Sequence, residues 1–159
     1  MGAVARTVGG VVALAVLLSG CAAMMVETKP TLYERLRVVD AAGVPHQGRA
    51  AISLVVDDFV ANVLADNRIN ARFKGLKPPE VFKLKANLSD QICQAAGGPC
   101  AYLGRDMKTA HAGMKITDAE WNATVEALTK ALDKHKIPAA EKNELIAAIA
   151  PLKGDIVGQ

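Results

Sequence analysis

The sequence predicts an all-α protein with one folded domain, and three observations support this. Apolar residues recur three and four positions apart in several segments, which is the period of one helix face. Proline, glycine and helix-capping residues stand at the ends of these segments. The chain has 159 residues, enough for one domain, and only 4% of them are aromatic, so the core is expected to be aliphatic.

The start of the chain resembles an export signal rather than part of this domain. Arg6 supplies a positive charge, and residues 11–18 form an apolar run that is too short to span a bilayer. The run leads into LSGC at residues 18–21, which is similar to the processing box of bacterial lipoproteins, where the cysteine receives the lipid. An uncleaved membrane anchor is the alternative interpretation.

The predicted organisation is a lipoprotein signal at residues 1–20, a lipidated tether at 21–30 and a folded domain at 31–159. Acyl chains contribute about 0.8 kcal/mol per buried methylene, so lipidated Cys21 would hold the domain on a membrane, on the extracytoplasmic side of the cell envelope. Ala22, in place of an acidic residue, favours the outer membrane in a cell that has two membranes.

Arg6 is the only charged residue of the signal, so the remainder of the chain has a net charge of +2. This charge is too small to indicate a nucleic-acid partner.

The first long helix is predicted over residues 51–64, where the apolar side chains follow the helical spacing. A pair of strands competes because the run is rich in β-branched residues, but its length and the Asp57-Asp58 pair on the opposite side favour the helix. A short helical piece is expected at residues 69–73. Pro78-Pro79 fits the first turn of the next helix, which is expected to stop at residues 97–99, Gly-Gly-Pro.

The second half of the domain is also predicted as helices. Asp106 is expected to cap a short helix at residues 107–112, and Thr117 with Glu120 forms a capping box for the next helix. A last helix follows Pro138, with a kink expected at Pro151. Residues 37–50 are expected to form an irregular loop, and the histidines at positions 46 and 135 are expected to be solvated.

Two cysteines, Cys93 and Cys100, lie within the predicted domain. An exported protein meets an oxidising compartment, so the pair could form a disulfide. Spacing alone cannot supply the geometry that a disulfide needs, and two free thiols remain the alternative.

His111 is the candidate metal ligand. A short helix presents Met107, His111 and Met114 on one face, and no other His, Cys or carboxylate lies at ligand spacing there, so a zinc site is not indicated. A lone imidazole among apolar neighbours suits a haem iron, because the porphyrin supplies four ligands. A core histidine bonded to a backbone carbonyl is the alternative.

Six stretches, in order along the chain, resemble the group 1 truncated haemoglobins. They are LYERL at 32–36, VVDDFVANVLAD at 55–66, INARFKG at 69–75, GGP at 97–99, Tyr102-x-Gly104 and MKTAHAGMKIT at 107–117. Each stretch alone is a weak signal, but the ordered set covers about residues 31–157 and is specific. The resemblance implies a two-over-two helical sandwich that holds haem b.

The resemblance also implies roles for individual residues. His111 matches the proximal iron ligand, Phe73 and Phe59 match phenylalanines that contact the porphyrin, and Lys83 matches a basic residue near a propionate. An ordinary solvated lysine is the alternative for Lys83. General core packing is the alternative for the residues that match pocket-lining positions, which are Met107, Met114, Ile116 and Trp121.

The predicted distal side of the pocket departs from the family. Val60 stands where the family has a tyrosine that bonds bound oxygen, and Leu84 and Leu88 stand where a glutamine or similar donor is usual. Gln91 is the nearest polar side chain. Losing such a hydrogen bond costs about 1–3 kcal/mol, so oxygen release is predicted to be roughly ten- to a hundredfold faster, with CO release less affected.

A second departure lies near the start of the domain. Residues 37–48 replace a glycine pair of the family, so the first helix is expected to pack differently.

These features predict a membrane-tethered haem protein that reversibly binds O₂, NO or CO, for gas sensing or nitric oxide detoxification. The enzyme activity that the family implies is conversion of nitric oxide to nitrate, which needs an unidentified reductase or other electron donor. A haem carrier or electron-transfer globin at the envelope is the alternative. A structural lipoprotein that no longer binds haem is a third interpretation.

Overall fold

The structure is a computed structural model that describes residues 29–159. The predicted signal, the lipidation site Cys21 and most of the tether lie outside the described residues. No helix in residues 29–159 has both the length and the hydropathy of a transmembrane span. The described helices are α1 (Leu32–Arg35), α2 (Arg49–Ala65), α3 (Pro78–Ala95), α4 (Met107–His111), α5 (Asp118–Lys134), α6 (Ala139–Ile149) and α7 (Lys153–Ile156).

The architecture is the two-over-two helical sandwich that the sequence predicts. Helix α2 packs against both α3 and α5, and α6 packs against α3, α5 and α1. The buried core between them is aliphatic, and Val56, Leu132 and Leu145 are among its most completely buried side chains. The expected helices at residues 51–64 and after Pro78 are therefore confirmed, and so is the helical piece near residue 70, which is a 3-10 turn at Asn70–Arg72.

Residues 37–47 form a β-hairpin, not the irregular loop that the sequence predicts. Strand β1 (Arg37–Val39) pairs with β2 (Pro45–Gln47) in antiparallel register. His46 is only half-exposed, and its Nε2 lies 2.9 Å from the Asp40 carboxylate in the turn of the hairpin. The His46 side chain therefore stays partly exposed, and the hairpin also gives its ring a carboxylate partner that the sequence did not predict.

The second half follows the predicted capping residues closely. The Thr109 N–H donates to the Asp106 carboxylate (2.9 Å) at the start of α4. The Glu120 N–H donates to the Thr117 hydroxyl (3.2 Å) and the Thr117 N–H donates to the Glu120 carboxylate (2.9 Å), which is the predicted capping box of α5. The last helix is interrupted at Pro151 by a 3-10 turn, Ala150–Leu152, before it continues as α7.

A disulfide joins Cys93, near the end of α3, to Cys100 in the following loop, so the structure has the bridge rather than two free thiols. The glycine pair between them allows close packing. A Cβ on Gly98 would lie 2.7 Å from the Cys93 sulfur and would also meet the ring of Tyr33. A larger residue at position 98 would therefore push α1 away from the end of α3.

The His135 side chain is only 11% exposed, at the junction of α5 and α2, which contradicts the expectation that it is solvated. Its Nε2 lies 2.7 Å from the Asp58 carboxylate, and Lys134 donates to the other oxygen of the same carboxylate at 2.6 Å. Burial raises the pKa of Asp58, but the hydrogen bonds and charges of Lys134 and His135 outweigh it, so the pKa lies below its ordinary value.

Candidate functional site

The helices surround an apolar cavity of about 210 Å³, with walls from α2, α3, α4, α5 and the C-terminal turns. The α2–α3 side is lined by Phe59, Val60, Val63, Leu84, Leu88, Gln91 and Ile92. The opposite side is lined by Met107, His111, Met114, Ile116, Trp121, Val125 and Leu128, and by Ile149, Leu152 and Ile156 near the C-terminus. Ile69, Arg72, Phe73, Glu120 and Thr124 complete the lining.

His111, the last residue of α4, is half-buried and lines this cavity. Its Nδ1 lies 2.8 Å from the carbonyl oxygen of Met107. A carbonyl only accepts, so in the neutral imidazole the proton lies on Nδ1 and Nε2 keeps the lone pair that can bind a metal. The carbonyl partner that the core-histidine alternative invokes is therefore the group that prepares the imidazole as a ligand.

The α2–α3 wall is almost entirely apolar. Val60 and Leu88 present aliphatic side chains where a hydroxyl or amide donor would be needed to bond a ligand in the cavity. Gln91 is the one polar side chain that α2 and α3 contribute to the lining, and its Nε2 donates to the Met107 sulfur at 3.1 Å. The amide therefore ties α3 to α4.

One end of the cavity is polar. Arg72 donates to the Glu120 carboxylate (2.9 Å) and to the Met114 carbonyl (2.7 Å), and the Thr124 hydroxyl donates to the Glu120 carbonyl (2.9 Å). The Thr117 backbone N–H, the Thr117 hydroxyl and the Arg72 charge together hold the pKa of Glu120 below its ordinary value, against the opposing effect of burial. Glu120 is therefore an anion at neutral pH.

The structure brings together all but one of the predicted pocket residues. The residues that line the cavity are Phe59, Val60, Phe73, Leu84, Leu88, Gln91, Met107, His111, Met114, Ile116 and Trp121. Lys83 is exposed on α3 and does not line it. Cys93 is buried in the adjoining core, outside the lining.

Sequence reasoning missed Arg72 and the C-terminal contribution to the cavity. Arg72 directly precedes Phe73 within INARFKG, so the motif contained it, but nothing in the sequence distinguishes an arginine that turns inward from one that is solvated. Leu152 and Ile156 carried a signal as one apolar helix face. The interruption at Pro151 is what brings that face to the cavity.

The residues present fit a haem group. A flat apolar ring needs aromatic and aliphatic walls, which Phe59, Phe73 and Trp121 help to supply, and its iron needs one neutral imidazole nitrogen. Within residues 29–159, no three His, Cys, Asp or Glu side chains cluster so as to hold a metal ion by themselves. His111 is thus the candidate protein ligand within this cavity.

Comparison with known sequences agrees with this chemistry. The family model described as bacterial-like globin matches residues 45–157. A group 1 truncated haemoglobin from Mycolicibacterium paratuberculosis is 33% identical over 109 residues, covering 69% of this chain and 78% of that protein. One from Tetrahymena pyriformis is 29% identical over 129 residues, covering 81% of this chain and 96% of that protein.

Solved structures show the same fold. The Fe(III) form of truncated haemoglobin from Tetrahymena pyriformis superimposes with a TM-score of 0.69 at 28% identity, covering 82% of this chain and 100% of that one. The two-over-two haemoglobin of a Synechococcus species, a cyanomet form with covalently attached haem, gives 0.68 at 27% identity, covering 80% and 98%.

Proposed function

Since the chain belongs to the bacterial-like globin family, which makes it a haem-binding globin that takes up diatomic gases, we propose that it holds haem b through His111 and exchanges its gas ligand rapidly at the cell envelope. The observation that carries the proposal is the Nδ1–H bond of His111 to the Met107 carbonyl inside an apolar cavity. This bond fixes the tautomer whose Nε2 can bind iron. When bound, haem supplies an iron centre that a gas can occupy.

The chain's own residues would then decide how long a gas stays. Val60, Leu84 and Leu88 are apolar and donate no hydrogen bond, and one of the two N–H groups of the Gln91 amide is engaged with the Met107 sulfur. A polar ligand such as O₂ therefore gains little from this wall, whereas CO, which needs less hydrogen bonding, loses little. The arrangement suits sensing or fast exchange of a gas better than its storage.

Conversion of nitric oxide to nitrate requires retained oxygen and an electron donor. The apolar wall opposes the first requirement, so we expect this activity to be slow and to depend on a separate reductase.

The proposed location rests on the LSGC box at residues 18–21, which would tether the domain to a membrane through Cys21.

An envelope haem carrier or electron-transfer globin would be favoured by a second protein ligand on iron. Within residues 29–159, the other histidines are His46 and His135, and each is already paired with a carboxylate, Asp40 and Asp58 respectively. Neither lines the cavity. The geometry thus favours one protein ligand and an open position for a gas.

The test is the absorption spectrum of the chain from Ala22 onward with haemin, recorded after reduction and again after addition of CO. We expect a five-coordinate ferrous spectrum that CO converts within the mixing time. A six-coordinate ferrous spectrum that CO changes only slowly would replace the gas-binding proposal with the carrier or electron-transfer one. No specific Soret band would mean that the fold has lost its cofactor.

A further inference from the structure

Arg72 makes two strong contacts from one guanidinium group. Its Nε lies 2.9 Å from a Glu120 carboxylate oxygen, and its Nη1 donates to the Met114 carbonyl at 2.7 Å. About a third of the side chain is exposed, and that of Glu120 is 17% exposed. Arginine alone among the side chains has a rigid fork of donors that serves two acceptors at fixed angles, and charged hydrogen bonds of this kind are roughly twice as strong as neutral ones.

These contacts connect opposite sides of the cavity. Arg72 ends the 3-10 turn that leads from α2 to α3, the two helices that form the apolar wall. Met114 follows α4, the helix that carries His111, and its N–H donates to the His111 carbonyl at 3.0 Å. Arg72 is therefore hydrogen-bonded to Met114, and Met114 in turn is hydrogen-bonded to His111, the candidate ligand.

The backbone that Arg72 holds is an unusual one. Lys115, directly after Met114, has φ of +50°, a left-handed conformation that is costly for a residue with a side chain. On its other side, Ile116 pairs with Val157, and the Gly158 N–H donates to the Ile116 carbonyl at 2.8 Å. Such a conformation persists only where its surroundings fix it, and here Arg72 fixes one end while the C-terminus fixes the other.

We infer that Arg72 is a positioning residue, which holds segment 111–116 against the α2–α3 wall and so sets the angle of the His111 ring and the rate at which haem leaves. The inference rests on the proposed role of His111. Glu120 orients the guanidinium from the first turn of α5, where its other oxygen accepts from the Thr117 N–H. Removing the guanidinium group would free the Met114 carbonyl and let segment 111–116 relax.

Arg68 provides a matched control. It lies four residues earlier and also bridges to α5, because its Nη2 donates to Asp66 and to Glu126, each at 2.7 Å. It does not line the cavity, and its ion pairs go to Asp66 and Glu126, not to the segment after α4. Arg68→Met therefore removes a similar ion pair to the same helix without touching the His111 segment.

The experiment compares the full chain in detergent, loaded with haem, as wild type, Arg72→Met, Arg72→Lys and Arg68→Met. Two quantities are measured: the rate of haem transfer to excess apomyoglobin, and the iron–histidine stretching band in the resonance Raman spectrum of the reduced protein. We expect Arg72→Met to release haem about tenfold faster, which is the effect typical of losing one hydrogen bond to a charged group. We also expect the iron–histidine band to shift or broaden. Arg72→Lys should fall between, and Arg68→Met should match the wild type.

Wild-type values in Arg72→Met would overturn the inference, and so would equal changes in Arg68→Met, which would point to general loss of stability. If Arg72→Met does not fold, Arg72→Lys decides in the same way. A wild type that binds no haem would overturn the proposed function and this inference together. A wild type with a histidine-ligated spectrum, combined with an unaffected Arg72→Met, would overturn the inference alone.

Discussion

Val60 lies on the cavity side of α2 and is 3% exposed. The resemblance to group 1 truncated haemoglobins implies a tyrosine at this position, so Val60 is where we expect ligand binding to differ most. Its two methyl groups fill space and exclude water, but they offer no hydrogen to a polar ligand. The resemblance predicts Val60, Leu84 and Leu88 on the distal side of the pocket, because neighbouring motifs locate these positions even where the residue type differs, and all three line the cavity.

Val60→Tyr is predicted to restore a donor and to slow oxygen dissociation roughly ten- to a hundredfold, the equivalent of one hydrogen bond of about 1–3 kcal/mol. The rate is measured by displacing oxygen with CO in a stopped-flow instrument. Val60→Phe is the control for size without the hydroxyl. Equal slowing in both variants would show that bulk, and not hydrogen bonding, controls release.

Individual contacts of the polar groups could not be read from the sequence. The order of residues does not reveal that Gln91 meets Met107, that Arg72 meets Met114, or that His135 meets Asp58. Each pair joins different elements, so the contact depends on how the helices pack. Local signals such as the Thr117–Glu120 box were readable because both partners lie within one turn.

At the scale of elements, helices were predicted where period and capping agree, as for α2, α3 and α5. The hairpin at residues 37–47 was not predicted, because three-residue strands show no clear alternation and the Gly43 turn is equally typical of a loop.

The bridge between Cys93 and Cys100 connects the end of α3 to the loop that precedes α4. A second tie runs from the Tyr102 N–H to the Gln94 side-chain oxygen at 2.8 Å.

Cys100→Ala is predicted to lower the free energy of unfolding by about 2 kcal/mol, because the seven-residue separation closes a short loop in the unfolded chain. Urea unfolding followed by circular dichroism measures it. A reductant should destabilise the wild type by a similar amount and leave Cys100→Ala unchanged. A reductant effect that is equally large in the variant would contradict the assignment of the stability to this bridge.

At the scale of the whole molecule, the helices of residues 29–159 meet around the apolar cavity, which is the proposed haem site. The family, the two-over-two fold and the use of haem were all predictable from ordered motifs spread over most of the chain. The proposed membrane attachment rests on residues 18–21, which lie outside the described residues.

Cys21→Ser is predicted to move the protein from the membrane fraction to the soluble fraction of cells that express the full chain, since the lipid would be the anchor. Incorporation of labelled palmitate into the wild type, with none in the variant, measures the modification directly. Retention of Cys21→Ser in the membrane fraction would favour the uncleaved anchor.

His111 is the proposed protein ligand of haem iron, and its bond to the Met107 carbonyl orients the imidazole for that role. The most direct measurement is a haemin titration of His111→Gly, with and without added imidazole, followed by its absorption and resonance Raman spectra. The glycine leaves a space that a free imidazole can enter. Loss of the histidine-ligated spectrum in the variant, and its return with imidazole, is the predicted result; a wild-type spectrum in His111→Gly without imidazole would contradict it.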